Sequence, residues 1–499
     1  MRRVQDVDHL VRVVLIHLAP KGADKDFFSG FRHISGRARG ITGGPECDFA
    51  SSFGSMSFTT PPRLLKPGVS SREALAWASL DFANSGYTTV VLTAVFNAYF
   101  VSHVMAGQSA GTLVWTMVLS VSYFLVMLSA PVIGAYADLR AQKRRLLVIS
   151  TWGCVIATAL LTTVDQGMWV WAAVLLVVSN LCYATNQDLV AAFLPELTPK
   201  ENFGKVSGYG WAWGYLGGLV SLGVSLVWVA YAQRASLSAN WVVGGTTIAT
   251  AVLFALVALP SLKILRERAL PHSDTDHWSG RDWLSASWGR LSETWARSRH
   301  QHDLRRFLVC VVIYHAGVQT VITLAAVYAQ QVMNFSMTET ITLILVVNIT
   351  AAVGAWLFGY CQDWLGHRRG LTLALAFWLV MVGLAWIATT PMIFWVAANF
   401  AGLAMGASQS GARAAIAYLA PPGREGEIFG LWGVGVNLAA ILGPLTYGFV
   451  TWLSGDEHRL AMLTTGAFFL LGLILLWRVD FERGHRDAGH RDSLDGGTQ

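Results

Sequence analysis

The 499-residue chain is 54% hydrophobic and only 13% charged, with a mean hydropathy of +0.47. Soluble domains average about 25% charged residues, so this composition excludes a soluble globule and calls for a bilayer as solvent. Lys and Arg outnumber Asp and Glu by 36 to 30, but the basic residues form no single patch, which argues against a nucleic-acid surface.

The first 71 residues are Gly-, Ser- and charge-rich around a short apolar stretch, Leu10 to Ala19, that Arg12 and His17 interrupt. That stretch is too short to span a bilayer and too broken for a signal peptide. Two readings stay open for it: a disordered N-terminal arm, or a chain whose translation begins at Met56. From there on, twelve stretches of about 20 or more mostly apolar residues follow, the length a spanning helix needs. They cover 78–103, 110–137, 146–164, 168–194, 206–231, 241–262, 306–331, 339–361, 370–389, 391–419, 428–453 and 459–478. The expected domains are the arm 1–71, a six-helix half 72–262, a linker 263–305, a second six-helix half 306–478 and a tail 479–499. In the linker, Ser279 and Asp282 are spaced like a capping box. Leu284, Trp288, Leu291 and Trp295 follow at helical spacing among Arg290, Arg297 and Arg299, which reads as an amphipathic helix, either lying on the bilayer face or solvated.

Lys and Arg favour cytoplasmic loops. With both termini inside, the inner loops and tail hold 22 of them and the outer loops two, Arg234 and Arg459. The split predicts a multi-pass protein of the cell (inner) membrane with both ends cytoplasmic. The five cysteines, Cys47, Cys154, Cys182, Cys310 and Cys361, lie far apart and offer neither metal spacing nor a disulfide framework.

The two halves repeat. Gly134 and Asp138, followed by Lys143 and Arg144, reappear 225 residues on as Gly359 and Asp363, followed by Arg368 and Arg369. Glu201, Phe203 and Gly204 return as Glu427, Phe429 and Gly430 at an offset of 226, and Gly86, Thr89 and Val90 as Gly317, Thr320 and Val321 at 231. Six plus six helices in the same orientation form a parallel repeat, the plan of transporters whose halves rock about a midplane site. In each loop the Gly permits close helix approach, the Asp suits a helix N-terminus, and the basic residues anchor the loop.

These loops resemble the signature of the major facilitator superfamily, Gly-x-x-x-Asp-x-x-Gly-x-Arg-Arg. The second copy, Gly359, Asp363, Gly366, Arg368 and Arg369, matches it, whereas the first has Ala141 in place of the inner Gly. Three further segments, Trp77 to Tyr87 (WASLDFANSGY), Gly208 to Gly218 (GYGWAWGYLGG) and Pro421 to Gly430 (PPGREGEIFG), are similar to the vacuole-effluxer (autophagy-related amino-acid effluxer) family and its bacterial relatives. The resemblance runs from about 72 to 478. It implies an all-α membrane protein with the major facilitator fold, and amino acids or related compounds as solutes. Relatives tend to carry an acid in helix 7 before the Gly-Val-Gln-Thr run, where this chain has Tyr314, His315 and Ala316. Proton coupling would then run through His315 or not at all.

Ionisable groups inside spans are functional candidates by default. Helices 1, 4, 7 and 10, which line the cavity of the superfamily fold, carry most of them. Substrate contacts are expected at Asn84, Tyr87, Asn180, Tyr183, His315, Gln319, Asn399 and Gln409, unless these serve only to hold helices together. Asp81, Asp188, Arg413 and His315 are candidates for gating or coupling. Arg413 and Asp188 occupy pseudo-equivalent depths and are expected to pair across the halves as a gate; the alternatives are a pair within one half, or Arg413 meeting a substrate carboxylate. Gly134, Asp138, Gly359, Asp363, Arg368 and Arg369 form the candidate conformational loops.

No nucleotide-binding motif occurs, so a primary pump is not expected. The reading is a secondary active transporter of a small polar solute, monomeric, with an ion gradient, the proton first, as its drive. No cofactor, metal or nucleic acid is expected, and no enzyme, since the intramembrane residues form no catalytic set. An exporter of amphipathic drugs and a transporter-shaped receptor or scaffold are the competing readings.

Overall fold

The computed structural model describes residues 64–105, 111–269, 289, 301–455 and 457–489. The arm before Leu64 and the linker helix expected near 279–299, Gly289 apart, lie outside them. The described residues form helices and loops with no strand. Twelve helices are long and apolar enough to cross a membrane. They are α1 Ser71–Val104, α2 Leu113–Arg140, α3 Lys143–Thr163, α4 Trp169–Leu197, α5 Lys200–Arg234 and α6 Ala239–Ile264, then α7 His302–Gln331, α8 Thr342–Leu365, α9 His367–Ile387, α10 Pro391–Leu419, α11 Glu425–Leu453 and α12 His458–Trp477. A short polar helix, α13 Phe481–Gly489, follows.

Packing repeats with the chain. In the first half α1 packs on α5 and α6, α4 on α2 and α3, and α3 on α6. In the second, α7 packs on α11 and α12, α10 on α8 and α9, and α9 on α12. Each contact thus recurs six helices later. Between the halves, α5 lies along α8 and α11 along α2, again a matched pair. Apolar side chains cover the outside: Trp364, Val227, Met392 and Trp452 are all exposed, as lipid-facing residues should be.

Several helices begin earlier than the apolar stretches do, and the reason lies across the seam between halves. The first turns of α5 and α11 are polar, so hydropathy alone starts them at 206 and 428. Asp363, at the end of α8, accepts hydrogen bonds from the backbone N–H groups of Gly204 (2.7 Å) and Lys205 (2.9 Å). Asp138, at the end of α2, accepts from Gly426 (3.0 Å) and Glu427 (2.9 Å). Each carboxylate caps a helix of the other half, satisfying donors that have no intrahelical partner and complementing the helix dipole.

The close approach needs glycine. A Cβ on Gly134 would collide with the backbone carbonyl of Gly426. Gly134→Val is therefore expected to keep α2 and α11 from closing. In a protein whose only reactive cysteine replaces Ser410 on α10, maleimide labelling should speed up at least severalfold, and unchanged labelling would refute this.

α1 departs from regular geometry. At Thr88–Ala94 and Phe100–Val104 it widens to π turns, in which Val95 N donates to Val90 O and Met105 N to Phe100 O. Such turns are uncommon and concentrate at functional sites.

Candidate functional site

The chain-end face carries Leu64, the start of the linker at 263–269 and α13. On it, each half is stapled by an equivalent ion pair at the first turn of its first helix. Glu73 on α1 accepts two hydrogen bonds from the Arg268 guanidinium, both 2.8 Å, just past α6. Asp303 on α7 accepts from Arg483 (2.5 and 2.8 Å), just past α12. Glu267 also caps α3, accepting from Lys143 N (2.7 Å) and Arg144 N (3.1 Å). Thus the start of the linker is fixed to the first half.

Beneath this surface lies Lys143, fully buried. Its ammonium sits 3.3 Å from each of three carboxylates, Asp138, Glu196 and Glu425. Glu425 opens α11 in the other half. Consequently the same Asp138 that caps α11 shares its lysine with that helix's first residue. Of the second loop copy, Arg368 is half-buried and Arg369 exposed. Lys205 stands 4.0 Å from Asp363.

Deeper still, Arg413 of α10 meets Asp81 of α1. Nη1 donates to Oδ2 at 2.6 Å and Nη2 to Oδ1 at 2.9 Å, a bidentate pair with both residues buried. The guanidinium also stacks near the rings of Trp211 (5.0 Å) and Trp77 (5.4 Å). Trp77 is itself held by donating to Val190 O at 2.7 Å. Arg413 lies six residues from the end of α10, about 9 Å below the face at 1.5 Å per residue.

This pairing corrects the expected Asp188–Arg413 gate. Asp188 is turned towards α11, where Gly433 leaves room: an added Cβ would stand 2.5 Å from Asp188 Oδ2. Asp81 instead finds its space beside Gly210 of α5 and reaches Arg413.

The hydrogen bonds that join named residues of the two halves lie towards the chain-end face. Besides those above, Ser207 Oγ donates to Ser410 O (2.8 Å), Tyr209 bonds Tyr360 through their hydroxyls, and Lys200 meets His485 (3.1 Å). At the opposite face, groups such as Tyr99 with Asn240 and Tyr447 with His458 pair within their own half. The molecule is closed at the chain-end face.

The other candidate residues divide into two sets. In the first half they bond helix to helix. Asn84 of α1 donates to Asn186 of α4 (2.9 Å), which in turn donates to Thr151 of α3 (2.8 Å). Tyr87 bonds Ser179 (2.8 Å), and its ring lies 5.3 Å from that of Tyr183. Asn180 of α4 donates to Ser122 of α2 (2.8 Å). In the second half the polar groups are left open. Among the described residues, Gln319 and Gln409 have no hydrogen-bond partner, and their amides are not sealed off. His315 is buried with Nδ1 unpartnered, beside Tyr314. Asn399 donates only to Trp395 O of its own helix (2.8 Å). No hydrogen bond joins His315, Gln319, Asn399 or Gln409 to one another.

Sequence reasoning missed Lys143 as a hub, Trp77 and Trp211 as the walls around Arg413, and Asn186 as the centre of a network. Both Trp residues stood in the segments quoted for family resemblance, and Asn186 lies two residues before Asp188 on a span already seen to be polar. The staples were visible as a further repeat: Glu73 and Asp303 are 230 residues apart, close to the offsets of the other anchors. No group of three or more His, Cys, Asp or Glu among the described residues is arranged to hold a metal.

Residues 99–489 match the protein family described as vacuole effluxer Atg22 like. The chain is 24% identical over 412 residues to an uncharacterized MFS-type transporter, YxiO, of Bacillus subtilis, covering 80% of this chain and 93% of that protein. To autophagy-related protein 22-1 of Aspergillus fumigatus it is 25% identical over 306 residues, covering 57% of this chain and 49% of the fungal one, so it matches about half that relative's length. Among solved structures, the human organic anion transporter MFSD10 (TETRAN) aligns with a TM-score of 0.66 at 18% identity, covering 81% of this chain and 99% of that one. FucP, a major facilitator transporter in its outward conformation, aligns with a TM-score of 0.61 at 13% identity, covering 82% and 98%.

Proposed function

Because the chain belongs to the vacuole effluxer, Atg22-like family of major facilitator transporters, we propose that it moves a small polar solute by alternating access, with the Asp81–Arg413 pair as the gate on the chain-end face. The observation that carries this is the distribution of hydrogen bonds between the halves. Charged and capping contacts between the halves seal one face, whereas at the opposite face Tyr99 with Asn240 and Tyr447 with His458 pair within their own half. Lys and Arg counts support a cytoplasmic chain-end face and the cell membrane as location; on that reading the structure faces outward. The monomer is the working unit.

The solute would sit between α4, α7 and α10, where Tyr183, Gln319 and Gln409 present groups not committed to other helices. Two primary amides with uncommitted donors and acceptors suit a solute that both donates and accepts hydrogen bonds. The family resemblance makes amino acids and related compounds the first class to try. Asn84, Tyr87 and Asn180 act as braces within the first half.

The test is uptake into proteoliposomes across a panel of amino acids and amphipathic drugs, with and without a pH gradient. Gln319→Ala and Gln409→Ala should raise the solute's KM at least severalfold and leave the melting temperature nearly unchanged. Asn84→Ala and Asn180→Ala should lower the melting temperature, each leaving a buried polar partner unsatisfied at about 1–3 kcal/mol. Accumulation of drugs alone would favour the exporter reading. Failure of the wild type to move any panel member would remove the transport reading.

A further inference from the structure

Acidic groups on the spans are mostly committed. Asp81 holds Arg413, Asp138 holds Lys143 and a helix N-terminus, Asp363 holds a second N-terminus, and Asp303 holds Arg483. Asp188 is different. It lies nine residues from the end of α4, about 13 Å deep at 1.5 Å per residue. Its Oδ2 is sealed from solvent with no hydrogen-bond partner, and no ion pair among the described residues involves it. Its carboxylate fits against α11 only because position 433 is glycine. Hence it lies in the α4–α11 seam between the two halves, a contact that must part if the chain-end face opens.

The surrounding groups supply no counter-charge. On its own helix, Tyr183 is the neighbouring titratable group, and that tyrosine lies within electrostatic reach of Asp81 and of Tyr123 on α2. Asp81 on α1 is already neutralised by Arg413 on α10. On α11, the nearest titratable residue in the chain is Glu427, an acid. An unpaired carboxylate at membrane depth is costly in its charged form. A metal ion would need a shell of oxygens, and no described group reaches Oδ2. A solute ammonium at Oδ1 would leave the sealed Oδ2 uncompensated, whereas a proton removes the charge altogether.

We propose that Asp188 is the proton-carrying residue of this transporter, protonated while the α4–α11 seam is closed and deprotonated when the halves part at the chain-end face. On opening, the carboxyl O–H bond breaks, its electron pair stays on the carboxylate, and the proton passes to water entering the seam. On closing, a proton is taken up again through Oδ1, which is not sealed in this state. This rests on the transport reading above and assigns its coupling ion. It also moves the coupling role from His315, which meets no charged partner, to α4.

Two measurements test it on the purified full-length protein. The first is infrared spectroscopy near neutral pH, which needs no solute. The wild type should show a protonated-carboxyl C=O band that Asp188→Asn lacks and His315→Gln keeps. No difference between wild type and Asp188→Asn overturns the proposal. The second uses proteoliposomes with the panel amino acid the wild type moves best. Asp188→Asn should lose uphill accumulation driven by a pH gradient at least tenfold, while exchange of labelled for unlabelled solute stays within about twofold. Retained uphill accumulation overturns the proposal. Equal loss of exchange overturns it too, since Asp188 would then be a solute contact. A wild type that moves no solute strikes the transport reading instead, and the infrared band still decides where the proton sits.

Discussion

Arg413→Ala is expected to be the most damaging single substitution within the spans, reducing transport at least tenfold and lowering the melting temperature together. The guanidinium is bonded at both Nη atoms to Asp81 and walled by Trp77 and Trp211. Truncating it strands the Asp81 carboxylate in a dry seam, and breaking a buried pair from one side costs about 3–5 kcal/mol. Asp81→Asn should also destabilise, but less, because the amide still accepts one hydrogen bond and the tryptophan faces still attract the cation. The double variant Asp81→Asn, Arg413→Gln removes both charges, so it should melt higher than Arg413→Ala. It should nevertheless not transport normally, since the neutral pair no longer favours the closed face. Faster maleimide labelling at a cysteine replacing Ser410, in the double variant over the wild type, would report that opening. If Arg413→Ala melts like the wild type, or if the double variant transports and labels as the wild type does, the pair is not a gate.

How much of this was legible beforehand follows from what each feature depends on. Span number and order depend on local hydropathy, and the expected 391–419 coincides with α10. Helix starts were less legible because the caps on α5 and α11 come from Asp363 and Asp138, residues about 160 and 290 positions away in the chain. Intramembrane polar residues could be listed from sequence, but their use could not. Whether Asn84 braces α4 or faces a solute turns on Asn186 lying opposite, a matter of helix rotation by a few tens of degrees. The partner of Arg413 was the clearest case. Symmetry reasoning placed Asp188 at an equivalent depth, yet the choice between two acids was made by Gly433 and Gly210, whose missing side chains admit one carboxylate to the α11 surface and the other to the Arg413 seam.

The second large effect is expected at Lys143. A fully buried ammonium equidistant from Asp138, Glu196 and Glu425 neutralises a cluster that otherwise has three like charges within a few ångströms. In Lys143→Met the carboxylates lose their common cation, at a cost of the same order as breaking any buried pair, about 3–5 kcal/mol. The loss is not confined to one half. Asp138 caps α11 through Gly426 and Glu427, and Glu425 begins that helix, so repulsion at this point pushes α11 away from α2 and opens the chain-end face. Lys143→Met should therefore express poorly, melt lower by intrinsic tryptophan fluorescence, and label faster at a cysteine replacing Ser410. Lys143→Arg is not a conservative rescue, because a planar guanidinium cannot place a donor on three carboxylates arranged around a point charge. Lys143→Met combined with Glu425→Gln removes the charge contributed by the second half, and should recover much of the melting temperature. If that combination melts no higher than Lys143→Met alone, the lysine acts within the first half only, and the seam at this face is held by the Asp138 cap without it.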